Sequence, residues 1–179
     1  MLMSARTVWR TGLALLLLAL AALAQAQRQA LEPELKAAIL VNMLLFVDWP
    51  NQNTQPTAQI TVCYLGIGPV STALMQLDGK LLKGKPLRVV RVEASKIAHC
   101  HALYVASFEA ASLTHVVPQA RTHGVLLVGD SAGYLQRGVM LNLDVDRGRV
   151  VFDVDLNAVR QTALTISSKV LRLARQVIE

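Results

Sequence analysis

Aromatic side chains are scarce in this chain of 179 residues, which has two Trp, three Tyr and three Phe. Nucleic-acid-binding proteins usually combine basic patches with aromatic residues, whereas the 18 Lys and Arg here are scattered singly along the chain. Common catalytic motifs are also missing: the sequence has no nucleophile elbow, no His-Glu zinc motif and no phosphate loop. The composition therefore argues against nucleic-acid binding and against an enzyme, and we expect no cofactor.

Short segments carry only part of a ligand-binding pattern. Gly66-Ile67-Gly68-Pro69 begins like a dinucleotide loop, but Ser71 replaces the third glycine and Pro69 has no backbone donor for a phosphate. Aspartates between 144 and 155 lie around a predicted hairpin, where acidic side chains ordinarily face water, and Asp155 is placed to cap the next helix. We interpret the first segment as a turn into a helix and the second as solvated.

The N-terminal segment has the pattern of an export signal. Positive charge precedes an apolar run over 13–23, and Ala24-Gln25-Ala26 supplies a small-residue cleavage pattern. The run is too short for a comfortable membrane span, and no cysteine follows it until Cys63, which removes a lipoprotein anchor. The sequence predicts a signal peptide at 1–26 and a mature periplasmic domain at 27–179, with no direct membrane anchor.

Helical and strand patterns alternate along the mature chain. Helices are predicted over 33–49, 69–77, 107–120, 156–163 and 167–178, and strands over 60–65, 87–92, 101–106, 125–128, 139–143 and 149–154. The turn-forming Asp146-Arg147-Gly148 joins the last two strands in an antiparallel hairpin, so the sheet is not wholly parallel. The fold class predicted is α/β, a single layered domain with a mixed β-sheet flanked by helices. The polar stretch 51–57 is predicted to be flexible.

The first helix carries one polar residue among apolar ones. Helical spacing places Leu35, Ile39, Asn42, Met43 and Phe46 on one face, which we expect to be buried. Asn42 is then either a buried amide bonded to nearby backbone or a ligand contact.

Two cysteines in an exported chain are most simply explained by a bond between Cys63 and Cys100. The alternative is a metal site of His99, Cys100 and His101. Neighbouring side chains of a strand point to opposite faces, so these three would not converge, and we expect no metal site. The remaining His115 and His123 are isolated and are predicted at the surface or at helix ends.

Lys169, Arg172 and Arg175 recur at three-residue spacing in the last predicted helix. Such a stripe is either a solvated helix face or part of a partner-binding surface, and the apolar residues between the cations are expected to face inward. The inward set is Ile166, Val170, Leu173 and Val177.

Several segments, in order, match one known family. The run from Lys36 to Pro50 resembles the pattern K-A-A-(apolar)2-x-N-(apolar)-x-x-F-(apolar)-x-W-P of the YfiR-like family of exported bacterial proteins. The later matching segments are spread over the remaining chain: 60–66, 100–105, 128–134, 151–158 and 166–174. Val41 departs from the family, which often has an aromatic residue there, and no second cysteine pair lies near 138–151.

The resemblance implies a periplasmic, non-catalytic and typically dimeric regulator. Such a protein binds the periplasmic domain of an inner-membrane signalling protein, a diguanylate cyclase, and holds it inactive, which places it in cyclic-di-GMP signalling. It also implies that Cys63 and Cys100 are disulfide partners. Partner binding is expected near Phe152, Asp153 and Asn157 together with the Lys169, Arg172 and Arg175 stripe, unless Phe152 is core.

A second reading comes from a different functional class. A periplasmic small-molecule binding or sensor protein, serving a transporter or a sensor kinase, would hold its ligand in a cleft near the strand ends of the sheet.

Overall fold

The structure is a computed structural model that describes residues 31–49 and 59–179. The predicted signal peptide at 1–26 and the predicted flexible stretch at 51–57 lie outside the described residues. Among the residues that are described, no helix combines the length and the hydropathy needed to cross a bilayer.

The predicted mixed α/β architecture is confirmed. The strands are β1 Val47–Asp48, β2 Ile60–Leu65, β3 Leu81–Leu82, β4 Lys85–Arg91, β5 Ala102–Val105, β6 Leu126–Gly129, β7 Leu141–Asp146, β8 Arg149–Asp155, β9 Thr165–Ile166 and β10 Gln176–Ile178. The large sheet has eight strands in the order β10-β8-β7-β6-β5-β2-β4-β3, and β1 pairs with β9 in a separate small sheet.

The centre of the large sheet is parallel and buried. β2 pairs with β4 on one side and with β5 on the other, and β5 continues to β6. The apolar runs of β2, β5 and β6 are buried on both faces, as central parallel strands require, whereas β4 is largely exposed. The predicted hairpin is also confirmed, since β7 and β8 are antiparallel and joined by Arg147 and Gly148, both at positive φ.

Short helices connect and cover the strands. Helix α1 occupies residues 31–43 of the described chain, followed by α2 Pro69–Met75, α3 Leu113–His123, α4 Leu156–Arg160 and α5 Ser168–Leu171. Turns of 3-10 helix cover Leu44–Phe46, Ser107–Ser112 and Leu135–Arg137.

Helix α1 buries only part of the predicted face: Met43 is buried and Ile39 is half-buried. Leu35 and Phe46 are exposed and so is Asn42, whereas Lys36 and Leu40 are buried. Helical spacing predicted one buried face, but apolar residues outside that set, such as Ala37 and Leu40, also pack in the core. The structure shows that the face containing a lysine is buried, because that lysine has ionic partners there.

The predicted C-terminal helix over 167–178 is wrong beyond its first turn. Helix α5 ends at Leu171, and Gln176–Ile178 then forms β10, which pairs in parallel with Asp153–Asp155 of β8. The backbone N–H of Arg175 donates to the carbonyl of Phe152 at 2.9 Å and starts this pairing. Satisfying the open edge of β8 stabilises a strand here despite the helical spacing of the sequence.

Candidate functional site

Trp49, which follows β1, is bonded to His101 just before β5. The indole Nε1 of Trp49 donates a hydrogen bond to the carbonyl of His101 at 3.1 Å, and the two rings meet edge to face with centroids 5.5 Å apart. The ring Nδ1 of His101 accepts a bond from the backbone N–H of Thr61 on β2. Trp49 and His101 therefore fix the segment after α1 against two central strands.

Near the N-terminal end of α1, Lys36 forms a largely buried ion pair with a residue that follows the sheet strand β6. Lys36 is only 7% exposed, and its Nζ lies 2.7 Å from Glu32 Oε1 and 3.4 Å from Asp130 Oδ2. Asp130 follows β6, and its Oδ1 is buried without a hydrogen-bond partner among the described residues. Burial, and then the charge of Asp130, raise the pKa of Tyr104 on β5, so that phenol stays neutral.

The loop after Asp130 is held by the sheet that it leaves. The backbone N–H of Ser131 donates to Asn142 Oδ1 at 3.2 Å, and the hydroxyl of Tyr134 donates to the carbonyl of Ala106 at 2.8 Å. The Tyr134 ring packs on Gly129, where an added Cβ would lie 2.3 Å from the ring. The loop is therefore fixed against the sheet, and Gly129 at the end of β6 makes room for the tyrosine.

Cys63 and Cys100 form a disulfide, with Cα atoms 5.8 Å apart. Both residues are fully buried, Cys63 within β2 and Cys100 just before β5. The expectation that Cys100 faces away from both neighbouring histidines is wrong for His99. Residues 98 and 99 form a turn, so strand alternation does not apply, and the imidazole of His99 lies close to both sulfur atoms. His115 and His123 are exposed, as predicted.

An open cleft of about 680 Å³ lies at the carboxyl ends of β2 and β4. Its lining mixes charges of both signs with backbone: Leu65, Gly66, Val90, Arg91, Val92, Glu93, Ala94, Lys96, His99, Glu109 and Ser112. Lys96 pairs with Glu93 at 3.1 Å, and Ser112 bonds Glu109 at 3.1 Å. Arg91 has no ion-pair partner within the described parts of the chain, so it is the cation available to a ligand.

Asn42 is not a buried amide. Its side chain is exposed and lines a small groove of about 190 Å³ between α1 and the β3–β4 edge, next to Leu81 and Lys80. The alternative that it contacts a ligand therefore stays a proposal.

The predicted partner-binding residues separate into buried and exposed groups. Phe152 and Asp153 are buried in β8. Asp153 receives two hydrogen bonds from the Arg175 guanidinium, one from Nε at 3.0 Å, and the same guanidinium lies 2.9 Å from Asp144 Oδ2. These bonds raise the pKa of Arg175, first through Asp153 and then through Asp144. Arg175 therefore clamps β10 to β8 and β7.

A family model described as DUF4154, YfiR/HmsC-like, matches residues 33–175. The matched part begins in α1 and ends at Arg175, so it spans the whole sheet except the last strand. The chain belongs to the YfiR/HmsC-like family. At the level of the family, this membership supports a periplasmic regulator of cyclic-di-GMP signalling.

Solved structures give weaker similarities to this YfiR/HmsC-like chain. A conserved domain protein from Vibrio cholerae has a TM-score of 0.48 and 17% identity, over 71% of this chain and 57% of that chain. The ABC domain in complex with L-Trp from Streptococcus pneumonia has a TM-score of 0.47 and 12% identity, over 66% and 55% respectively. The chain thus spans little more than half the length of either structure. No curated protein sequence shows significant similarity to it.

Three further members of the predicted set are exposed and lie on or just after the last two helices of this YfiR/HmsC-like domain. Asn157 is exposed on α4, Lys169 on α5, and Arg172 just after it. Leu173, expected to face inward, is 74% exposed. Lys169, Arg172 and Leu173 therefore form a short exposed segment in which an apolar side chain follows two cations.

Sequence reasoning missed Lys36, Asp130 and Trp49 as organising residues. Lys36 and Trp49 fall within the family pattern, and Asp130 falls within another matching segment. Membership of these segments was the only feature of the sequence that could have identified the three residues. Their partners lie far away in the chain, 94 residues in the case of Lys36 and Asp130, so local spacing carried no sign of the pairing. The predicted cap was found: the N–H of Ala158 donates to Asp155 Oδ1 at 3.0 Å.

Proposed function

We propose that the protein is processed after residue 26 and, in the periplasm, represses an inner-membrane diguanylate cyclase by binding its periplasmic part. Family membership over 33–175 is the observation that carries this proposal. The Cys63–Cys100 disulfide supports it too, since such bonds persist in oxidising compartments. The protein acts by binding, as a regulator with no reaction of its own.

The partner surface of this proposal is the exposed segment formed by Lys169, Arg172 and Leu173, with Asn157 on the neighbouring part of the chain. Interfaces combine an apolar centre with a polar rim, and a largely exposed leucine beside two cations has that composition. The cations favour an acidic partner surface and would speed its association. Phe152, Asp153 and Arg175 contribute to this proposal indirectly, because their bonds join β8 to β10, the strand that follows the segment.

A homodimer is the second association that we propose, through α1. Leu31 and Leu35 on this helix, and Phe46 in the 3-10 turn that follows it, are exposed although they are apolar. Covering such side chains in a second copy would remove apolar area from water. Sedimentation of wild type and of Leu35→Asp tests it: the variant should shift toward monomer, whereas an unchanged sedimentation coefficient would place any dimer contact elsewhere.

Repression is tested in cells that lack the chromosomal copy. Complementation with wild type should lower cyclic-di-GMP, and Arg172→Glu or Leu173→Asp should leave it raised while the protein level in the periplasmic fraction stays normal. Arg88→Glu is the matched control, because Arg88 is exposed on β4 toward the opposite edge of the sheet. N-terminal sequencing of the periplasmic fraction should begin at Gln27.

Capture of the partner from membranes completes the test. Wild-type protein and Arg88→Glu should retain an inner-membrane diguanylate cyclase, and Arg172→Glu should not. If all three capture the same protein, or if Arg172→Glu represses like wild type, this segment is ordinary surface and the partner site lies elsewhere.

Small-molecule sensing is a second candidate function, favoured by the cleft at the strand ends. Arg91, which is free of ion pairs among the described residues, selects a small carboxylate-bearing ligand. Thermal-shift screening of such acids should find one that raises the unfolding temperature of wild type and of Arg88→Ala but not of Arg91→Ala. A stabilising acid that acts equally on all three would bind outside this cleft.

A further inference from the structure

Cys63, His99 and Cys100 bring three metal-ligating atoms together. The two sulfur atoms and a ring nitrogen of His99 all lie within 4.8 Å of one another. Within the described part of the chain, no other group of three His, Cys, Asp or Glu side chains is arranged in this way. We propose that reduction of the disulfide converts these three side chains into a binding site for a thiophilic divalent cation of the zinc type.

The spacing suits tetrahedral coordination after a small movement. Zinc binds sulfur at about 2.3 Å and imidazole nitrogen at about 2.0 Å, so its ligand atoms lie roughly 3.5 to 3.8 Å apart. The sulfur atoms must therefore separate on reduction, while His99 needs only a modest approach. Cys100 allows the separation because it precedes β5 and is not yet part of the strand.

Cys63 and His99 differ in exposure and in how tightly the backbone holds them, and this difference sets the route by which a cation would reach the site. Cys63 is fixed within β2 between two neighbouring strands, and it is fully buried. His99 is exposed in the turn and lines the open cleft at the strand ends. A cation would therefore enter from the cleft, and water from the cleft would complete the fourth coordination position.

A dithiol reductant of the thioredoxin type would reduce the disulfide. The dithiol gives two electrons and two protons to the Cys63–Cys100 bond, which becomes two thiols, while the reductant becomes a disulfide. Binding of the divalent cation then displaces the two thiol protons, and neutral His99 donates a nitrogen lone pair. Since both cysteines are fully buried, the reductant reaches the bond when the turn at 98–99 opens.

The cation replaces the crosslink that reduction removes. A bound metal ties β2 to the segment before β5 much as the disulfide does, so a chain reduced in the envelope would keep its fold only while loaded. Whether the cleft beside the site stays folded would then depend both on the redox potential of the compartment and on the supply of the metal. This inference is independent of the identity of the signalling partner.

Titration of the purified exported protein with Zn²⁺ tests the site. After reduction with a phosphine, wild type should bind one equivalent by calorimetry, whereas the oxidised protein should bind none at this position. His99→Gln should weaken binding by roughly tenfold or more, and His123→Gln, at the exposed end of α3, is the matched control that should bind like wild type. With Co²⁺, reduced wild type should give a thiolate charge-transfer band that His99→Gln shifts.

Two outcomes would overturn the proposal. One is equal Zn²⁺ affinity of reduced wild type and reduced His99→Gln; the other is equal affinity of oxidised and reduced wild type, which would mean a surface site. If reduction unfolds the chain, the same comparison holds by circular dichroism. Zn²⁺ should then restore the folded spectrum of wild type and His123→Gln but not of His99→Gln, and recovery of all three would contradict the role of His99.

Discussion

His101 and Thr61 are joined twice across the boundary between β5 and β2. The backbone N–H of Thr61 donates to His101 Nδ1 at 3.1 Å, and the backbone N–H of His101 donates to the Thr61 carbonyl at 2.9 Å. The first bond requires an unprotonated Nδ1. Burial, and then the positive charge of Lys85, lower the pKa of His101, which is 5% exposed. The folded protein therefore holds this imidazole neutral.

Stability should consequently fall as the solution becomes mildly acidic. The unfolded chain has a histidine pKa near 6.5, above that of the folded state, so it binds more protons below this pH. The stabilisation is complete above about pH 6.5 and is lost progressively below it, by at most about 1.4 kcal/mol per pH unit for one proton. Urea unfolding at pH 7.5, 6.5 and 5.5 measures this slope.

The variant His101→Asn distinguishes the contribution of His101 to the pH dependence of stability from that of the other histidines. The asparagine Oδ1 can still accept the Thr61 bond but does not titrate in this range, so the slope below pH 6.5 should flatten. His123→Asn changes an exposed histidine and should keep the wild-type slope. An unchanged slope in His101→Asn would assign the pH dependence to other groups.

Removing the disulfide should destabilise the fold by about 2 to 5 kcal/mol, since the chain-entropy relation gives about 4 kcal/mol for a loop of this length. The bond spans 37 residues. Cys63→Ser and Cys100→Ser should each cost this much, and the double variant should cost little more than either, because one bond is lost in each case. Denaturant unfolding measures the three values. Two free thiols in the denatured, unreduced protein would contradict the crosslink.

The sequence predicted those elements whose pattern is local. β2 was predicted with the bounds that the structure has, and the β7–β8 hairpin was predicted from Asp146-Arg147-Gly148, because strand alternation and turn residues act over a few positions. β10 was missed because its strand conformation depends on the distant edge of β8. Asn42 and Leu35 were predicted to be buried, but Lys36 and Leu40 turn inward, and the contact of Lys36 with Asp130 cannot be predicted from local spacing.

The candidate sites were harder to predict for the same reason. The disulfide followed from a count of two cysteines. The approach of His99 to it depends on a turn at 98–99, whereas the prediction had assumed that side chains alternate there as in a strand. Arg175 was predicted in a surface stripe and is exposed, but its bonds to Asp153 and Asp144 were not predicted because those residues belong to distant strands.

Arg175→Met should therefore destabilise the protein, while Arg172→Met should not. Asp153 is buried, and loss of the guanidinium leaves its carboxylate without its ionic partner. Because Arg175 is itself 37% exposed, water screens the pair, and we expect a loss of about 2 kcal/mol, below the 3 to 5 kcal/mol of a fully buried pair. Arg172 is exposed and should change stability by no more than about 0.5 kcal/mol.

Asp153→Asn provides the decisive comparison for this clamp. In the Arg175→Met background it removes the unpaired charge and should recover part of the lost unfolding free energy. If Arg175→Met and Arg172→Met have equal stability in urea, the clamp makes no measurable contribution to the folded state.

Gly129→Ala should be costly because of space rather than backbone strain. An added Cβ would lie 2.3 Å from the Tyr134 ring and 3.3 Å from Asn142 Oδ1, and the Tyr134 hydroxyl is held by the Ala106 carbonyl. We expect a loss of about 1 to 3 kcal/mol, as for other overpacked cores. In a Tyr134→Ala background the same substitution should cost much less. An equal cost in both backgrounds would mean that the ring is not the obstacle.

Lys36→Met should lower stability because the ammonium group is the ionic partner of Asp130. The Asp130 carboxylate already has one buried oxygen without a hydrogen bond among the described residues, so removal of Lys36 leaves both oxygens poorly satisfied. A loss of about 3 kcal/mol is expected for breaking such a pair. The matched double variant, Lys36→Met with Asp130→Leu, removes both charges and should be markedly more stable than Lys36→Met alone. Urea unfolding of the wild type, both single variants and the double variant gives the coupling free energy directly. A coupling near zero would mean that α1 is held on the sheet by its apolar contacts and that the buried pair only specifies which face of the helix turns inward.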